Sequence, residues 1–321
     1  MTKLVICTGD ILYDFISTTP GGLAESSRFE KKPGGSPFNV AIGLVRLGVP
    51  TGFLVKLGDD EFGGALRDFL AREGVDPAYL VDGAGHNTTL AMAAVDADGK
   101  PEFRFYRENA ADISLSIDEL PPIDTKNVSV FQLGSICLAD NPAGEAQMSV
   151  FEAMRSGGVL TMLDPNVRPL YVERRPIFRE RVDYLSDKAD VLKMSDDDLF
   201  WLSGQRSIDE GLRRLKLNPS GLVIVTRGGD GARAIWRGET IDIPGRKVTV
   251  AETTGCGDSF NAGIISKLAP LGKKGFDAMT KDQLTEALTW ANACAAIVAT
   301  RRGAASSMPR AAEVEEFLRQ G

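Results

Sequence analysis

The chain has 321 residues, 43% hydrophobic and 25% charged, with a formal net charge of −7. That length allows one large domain or one domain with a small appendage, and the acidic balance argues against nucleic acid as a partner, because phosphate backbones call for a basic surface. No apolar run is long enough to span a bilayer, and the single histidine, His86, excludes a Ser–His pair or a multi-histidine metal site, which leaves acid–base chemistry to Asp, Glu or Lys.

In chain order, the apolar part of Met1–Ile6 is too short for a signal peptide. Lys3–Cys7 reads as a buried strand that exits through Thr8-Gly9-Asp10, with Asp14 in the exit loop. Residues 17–37 carry Pro20, Gly21, Gly22, Pro33, Gly34, Gly35 and Pro37, too many breakers for one regular element. Helical spacing returns over Phe38–Leu47, closed by Gly48. Gly52–Leu57 is a second strand. Asp59-Asp60-Glu61 opens a helix through Leu70, closed by Gly74, and its acidic first turn suits the helix dipole.

The texture then changes. Thr88–Val95 and Glu102–Tyr106 flank Asp96-Ala97-Asp98-Gly99, a hairpin signal with Asp-Gly at the turn. Together with residues 15–36 this hairpin is expected to form a small sheet of its own. From Val128 a βα rhythm resumes: strand Val128–Leu133, helix Ala143–Arg155, strand Val159–Leu163, helix Ile177–Leu185, strand Val191–Lys193, helices Asp196–Leu202 and Ile208–Leu215, strand Leu222–Thr226. A short β-like run, Arg246–Val250, leads into a helix, and helices Lys281–Thr300 and Ala311–Arg319 finish the chain. Such alternation predicts an α/β fold, a doubly wound, mostly parallel sheet with helices on both faces. Cys7, Cys137 and Cys294 lie in apolar runs and none of the four cysteines has metal spacing, which points to a reducing, cytoplasmic setting.

A parallel sheet binds its ligand at the carboxyl ends of its strands. Those ends are followed here by Asp10 and Asp14, by Gly134-Ser135, by Asp164-Pro165-Asn166-Val167-Arg168, by Lys193 and Ser195, by Thr226-Arg227-Gly228-Gly229-Asp230-Gly231, and by Glu252-Thr253-Thr254-Gly255-Cys256-Gly257-Asp258. Glycine-rich backbone with Lys and Arg points to a phosphorylated ligand. The last loop runs into the apolar helical pattern Phe260, Ile264, Ile265, Leu268. Its two glycines sit at a helix start, where unpaired N–H groups and the dipole favour an anion. Asp258 is the one strong base in that loop. A carboxylate beside an anion hole suits proton abstraction from a nucleophile, although an aspartate at a helix start also serves as a simple cap.

Two stretches carry a resemblance. Pro33-Gly34-Gly35-Ser36-Pro37-Phe38-Asn39-Val40-Ala41, ending in Arg46-Leu47-Gly48, resembles the first signature of the ribokinase-like (phosphofructokinase-B family) sugar kinases. Glu252–Phe260 resembles the second, Asp-Thr-x-Gly-Ala-Gly-Asp. Phe105-Tyr106-Arg107 with Ala111-Asp112, Asp164-Pro165-Asn166-x-Arg168, and Ala189–Ser195 are most similar to the fructokinase branch. The resemblance implies one kinase domain over residues 1–321, with a lid formed by 15–36 and 86–110. It implies transfer of the γ-phosphoryl group of ATP, with Mg²⁺, to a sugar hydroxyl, that of D-fructose first. Ribose, 2-keto-3-deoxygluconate, a nucleoside or a sugar phosphate are the alternative acceptors, and a non-catalytic sugar or nucleotide sensor is the alternative of another class. Asp258 would be the general base, and Gly255, Cys256 and Gly257 the anion hole. Asp14, Gly34, Gly35 and Asn39 would hold the sugar, with Arg107 and Arg168 close by. Asn166, Lys193, Ser195, Thr226, Gly228, Gly231 and Asn292 would lie on the nucleotide side. Asp198 would organise Mg²⁺ through water. Glu252 stands where the family has an Asp at a monovalent-cation site, so a weaker response to K⁺ is expected. The resemblance also raises a homodimer formed through the apolar outer face of the lid. A thiol at a helix start, Cys256, is expected to have a lowered pKa.

Overall fold

The computed structural model describes residues 3–95 and 101–320. In chain order its elements are β1 (Leu4–Thr8), β2 (Leu12–Ser17), β3 (Phe29–Gly34), α1 (Ser36–Arg46), β4 (Thr51–Gly58), α2 (Glu61–Glu73), β5 (Leu80–Gly83), β6 (Thr89–Val95), β7 (Pro101–Tyr106), β8 (Val128–Gly134), α3 (Ala143–Ser156), β9 (Leu160–Asp164), α4 (Pro169–Val172), α5 (Pro176–Lys188), β10 (Val191–Ser195), α6 (Asp196–Ser203), α7 (Ile208–Arg214), β11 (Leu222–Thr226), β12 (Ala232–Trp236), β13 (Glu239–Ile243), α8 (Cys256–Leu268), α9 (Gly272–Asp277), α10 (Lys281–Ala299) and α11 (Ala311–Arg319), joined in places by short 3-10 turns.

The large sheet has the order β13-β12-β11-β10-β9-β8-β1-β4-β5. From β5 to β11 all neighbours are parallel. The hairpin β12–β13 adds an antiparallel edge. The inner strands read as continuous apolar runs because both faces are covered. Val5 and Cys7 of β1 pack into one layer with Phe38, Leu44, Phe260 and Leu288 from α1, α8 and α10. Ile6 turns to the other layer, with Phe131, Leu133, Phe151, Phe178 and Leu199. The alternation along one strand thus fills two separate cores. No helix among the described residues is long and apolar enough to cross a membrane.

A second, smaller sheet has the order β3-β2-β6-β7. Its outer pairs are antiparallel and β2–β6 is parallel. It starts at Leu12, so the segment expected as the exit loop of the first strand is strand β2, and the breaker-rich stretch ends in strand β3. The predicted turn residues Asp96-Ala97-Asp98-Gly99 lie outside the described residues.

Other sequence expectations are corrected. Arg246–Val250 forms no strand. Its β-prone residues pair with no strand, and Val250 is exposed. The turn Arg237-Gly238, with φ of 53° and 79°, makes the hairpin β12–β13 that the sequence reading passed over. Strand β5 and helices α4 and α9 are likewise additions. Local chemistry fixes the helix starts. Asp60 accepts from the Gly63 N–H, and Ser195 with Asp198 forms a capping box on α6.

Candidate active site

The site is built where the N-termini of α1 and α8 meet at the carboxyl edge of the large sheet. Gly35 precedes α1 with φ 112°, and a Cβ there would come within 2.3 Å of the Asp10 carbonyl oxygen. Only glycine tolerates both. It directs Ser36 and Asn39, one turn apart on α1, toward α8. Ser36 Oγ donates to Asp258 Oδ1 at 2.6 Å and Asn39 Nδ2 to Asp258 Oδ2 at 2.8 Å. Asp258 is buried in the first turn of α8, which begins after Gly255 in the left-handed region, φ 84°. Burial pushes the Asp258 carboxyl above its usual range, Ser36 and Asn39 oppose that, Asp164 adds to it and Lys193 offsets it. Burial is the largest of these effects.

Among the described residues the N–H groups of Gly255, Gly257 and Asp258 have no partner within the chain, whereas Cys256 N–H donates to the Thr253 carbonyl at 3.2 Å. The open donors at this helix start are therefore Gly255, Gly257 and Asp258, and the expected donor Cys256 is already used. Its thiol is also not activated. Burial, with Asp258 and Glu252 nearby, pushes it up to about 11, which corrects the expectation of a lowered pKa.

Behind Asp258 lies a buried charged group. Asp164, at the end of β9, accepts from Lys193 Nζ at 3.0 Å, Asn261 Nδ2 at 2.6 Å and Asn166 N–H at 2.9 Å. Burial works against the charge on Lys193, but Asp164 and Asp198 outweigh it and hold the amine above its usual value. A Cβ on Gly257 would come within 2.9 Å of Lys193 Nζ, so this cation stands against the open helix start. Asp198 Oδ1 accepts from Val167 N–H at 2.9 Å and Oδ2 from Ser195 N–H at 3.0 Å. Burial and Asp164 push its carboxyl up.

Asp14 on β2 faces the same space. A Cβ on Gly34 would come within 2.1 Å of Asp14 Oδ2, so that glycine makes room for the carboxylate. Burial, Asp10 and Asp258 push Asp14 up to about 6, with Arg168 pulling the other way. Arg168 itself donates to the Val167 carbonyl at 3.1 Å. Asp10 is buried with Oδ1 unpartnered, and the Asn39 Oδ1 and Asn166 Oδ1 acceptors are buried and unpartnered too. Arg107 is tied down by Asp112 at 2.8 Å and stacks on the Tyr171 ring, while its Nε has no hydrogen-bond partner.

Thr226, Gly228, Gly231 and Asn292 lie apart from these residues, while Glu252 stands near Asp14 and Cys256. Thr226 Oγ1 donates to the Met194 carbonyl at 3.4 Å. Gly228 and Gly231 turn with φ of 52° and 90°. Gly231 leaves no room for a Cβ against the Ile243 carbonyl, at 2.1 Å, and Asn292 Nδ2 ties α10 to the Pro244 carbonyl at 2.9 Å. Glu252 accepts from Gly303 N–H at 2.9 Å, with Lys32 Nζ 4.0 Å away. The sequence reading assigned no role to Ser36, Asp10, Asp164 or Asn261. Asp10 and Asp164 were visible as charges at strand ends. Asn261 lies one turn beyond Asp258 on the same helix face. Ser36 lies in the stretch that resembles the first signature, but nothing in the sequence links it to Asp258, 222 residues away.

The arrangement pairs a buried carboxylate with open N–H donors and a buried cation, which suits transfer of an anionic group to a deprotonated acceptor. Fructokinase-1 of Zea mays and fructokinase-1 of Oryza sativa subsp. japonica are each 37% identical to the chain, covering 98% and 99% of it and 98% of each relative. Among solved structures, fructokinase with bound ATP from Xylella fastidiosa aligns with a TM-score of 0.88 at 26% identity, covering 100% of this chain and 99% of that one. Fructokinase from Vibrio cholerae O395 with fructose, ADP and calcium aligns with a TM-score of 0.85 at 29% identity, covering 99% of each. The model of the pfkB family carbohydrate kinases matches residues 2–311. The chain belongs to that family and is a carbohydrate kinase.

Proposed function

We propose that this carbohydrate kinase transfers the γ-phosphoryl group of ATP to a hydroxyl of D-fructose, with Asp258 as general base. The observation that carries the reading is the buried Asp258 carboxylate beside the open N–H groups at the start of α8. The sugar hydroxyl gives its proton to Asp258, its oxygen bonds to the γ-phosphorus, and the bond to the β-phosphate oxygen breaks to release ADP. Gly255 and Gly257 N–H and the Lys193 amine take up charge on the moving phosphoryl group. Likeness to fructokinases over nearly the whole chain supports fructose as acceptor.

On the sugar side we assign Asp14, Gly34, Gly35, Asn39, Arg107 and Arg168. The Asn39 amide nitrogen is used by Asp258, so its unpartnered Oδ1 is the atom that would meet a sugar hydroxyl. Arg107 acts as a buried brace that keeps donors at Nε and Nη1 without hydrogen-bond partners. On the nucleotide side we assign Asn166, Lys193, Ser195, Thr226, Gly228, Gly231 and Asn292.

Both Asp198 oxygens already accept backbone N–H groups, so they fit Mg²⁺ through water rather than directly, beside the free Asn166 Oδ1. No group of three or more acidic, His or Cys residues among those described could hold a metal, so the ion would arrive with ATP. When bound it neutralises phosphate charge. The Glu252 carboxylate is engaged by Gly303 and faced by Lys32, which supports a small response to K⁺. Buried free thiols at Cys7, Cys137 and Cys294 support a reducing, cytoplasmic setting. We also assign a homodimer through the small sheet, which would act as a lid.

The test is ADP release with MgATP and, in turn, D-fructose, D-ribose, 2-keto-3-deoxygluconate, a nucleoside and a sugar phosphate. Fructose should give the highest kcat/KM. A clearly higher value for another acceptor would defeat the fructose assignment, and no turnover with any of them would favour a sensor.

A further inference from the structure

The Asp258 carboxylate is held at two points, and the two holders are chemically different. Asn39 Nδ2 can only donate, so it suits an oxygen that stays negative or bare. Ser36 Oγ can donate or accept, because its hydrogen swings about the Cβ–Oγ bond. The Ser36 contact is 2.6 Å and fully enclosed, within the range of a charge-assisted hydroxyl–carboxylate bond. The site is tight around it: Gly35 fixes the backbone on one side and Pro37 follows at once. Resting on the reading of Asp258 as general base, we propose that Ser36 is a positioning residue for that base. Its hydroxyl donates to Oδ1 while the carboxylate is ionised, and turns to accept from Oδ1 once that oxygen has taken the sugar proton. Asn39 keeps Oδ2 fixed throughout. No proton leaves Ser36 in this cycle: the hydroxyl keeps its own hydrogen and changes only its direction.

The charged and titratable groups facing Asp258 are Asp164 of β9, Lys193 of β10, Asp14 of β2 and Cys256 of its own helix. On α1 the neighbours are Ser36 and Asn39, both uncharged. Asp258 is the titratable group that Ser36 hydrogen-bonds among the described residues. Burial also pushes the Asp14 carboxyl up, to about 6, but Ser36 does not bond to it, so a kinetic limb that moves with Ser36 belongs to Asp258.

The experiment is the pH profile of kcat/KM for D-fructose in the wild type, Ser36→Ala and Ser36→Thr. The hydroxyl bonds both states of the carboxyl but the ionised one more strongly, so the alanine variant should move the acid limb up, by about half to one pH unit. The threonine variant, which restores the hydroxyl, should return it toward the wild-type position. An unmoved limb in Ser36→Ala, or an equal loss of rate at every pH that threonine does not rescue, would overturn the proposal. If the alanine variant does not fold, Ser36→Cys keeps the volume with a much weaker donor; its limb must move the same way, and an unmoved limb there counts equally against the idea. Asp258→Asn separates the two readings. Near-native activity in that variant defeats the base itself, whereas an inactive Asp258→Asn alongside an unshifted Ser36→Ala defeats the Ser36 role alone.

Discussion

At the scale of single residues, two roles make opposite forecasts for Asp258: a structural tie between α8 and α1 through Ser36 and Asn39, and a catalytic base. Asn is of the same size and still accepts a hydrogen bond but cannot take a proton. Asp258→Asn should lower kcat by roughly 10²–10⁴, the usual share of a general base, while fructose and ATP still bind in calorimetry. A variant with near-native kcat would leave Asp258 a structural tie only. Asp14 gives a second forecast, this one with a sign. Its folded pKa, about 6, lies above the ordinary value of 3.8, so the native state holds this proton more tightly than the unfolded chain. Stability is unaffected below the ordinary value, falls as pH rises through about 6, and stays reduced above it. Asp14→Asn should therefore raise stability at about pH 8, by on the order of 3 kcal/mol, seen as a higher melting temperature, and leave it unchanged near pH 3. The same variant should raise KM for fructose. A stabilised variant with normal KM would remove Asp14 from the sugar site. Asp258 was legible in the sequence as a charge beside two glycines at a helix start, and Asp14 as a charge shortly after the first strand. The Ser36–Asp258 contact was not, since folding alone brings those positions together.

At the scale of elements, the precision of the site depends on how α8 is seated. It is pressed between α1 and α10 by small residues. A Cβ on Gly43 would come within 2.6 Å of Ala262 Cβ, and one on Gly263 within 2.7 Å of Ala291 Cα and 3.1 Å of Cys294 Sγ. Gly263→Val must therefore push the helices apart. Overpacking of this kind costs about 1–3 kcal/mol, and because Asp258 rides on the same helix, kcat should fall along with the melting temperature. A valine variant with an unchanged melt and kcat would mean that α8 is not seated by these contacts. The elements that were readable are those whose signal is local: continuous apolar strands between helical periods. Strand β3, Phe29-Glu30-Lys31-Lys32-Pro33-Gly34, has no apolar alternation and exists because β2 pairs with it. Arg246–Val250 has the opposite fate, with good β residues and no strand to join. The two glycines within six-residue α9 likewise give no helical signal.

At the scale of the whole molecule, the small sheet gathers several of the exposed large apolar side chains. Val95, Phe103 and Tyr106 are exposed at 55%, 54% and 60%, and β7 is an edge strand with open backbone groups. The register shows which side they occupy. Asp14 aligns with Ala91, and Ala93 faces Phe103, so Val95 and Phe103 share the face of Asp14 and only Tyr106 lies on the other. The apolar surface is thus mostly on the side of the site, which corrects the expectation of an apolar outer face. A second copy seated against this tip would bury these side chains and leave the sheet free to close over the sugar and exclude water. Light scattering at micromolar concentration should therefore give twice the mass of one chain. Val95→Asp with Phe103→Asp, both outside the hydrogen-bonded centre of the site, should give single chains with an unchanged fold by circular dichroism. KM for fructose should rise in that variant if a second copy holds the sheet near the site. A wild-type protein that scatters as a single chain would refute the dimer, and a double variant that stays dimeric would move the interface elsewhere.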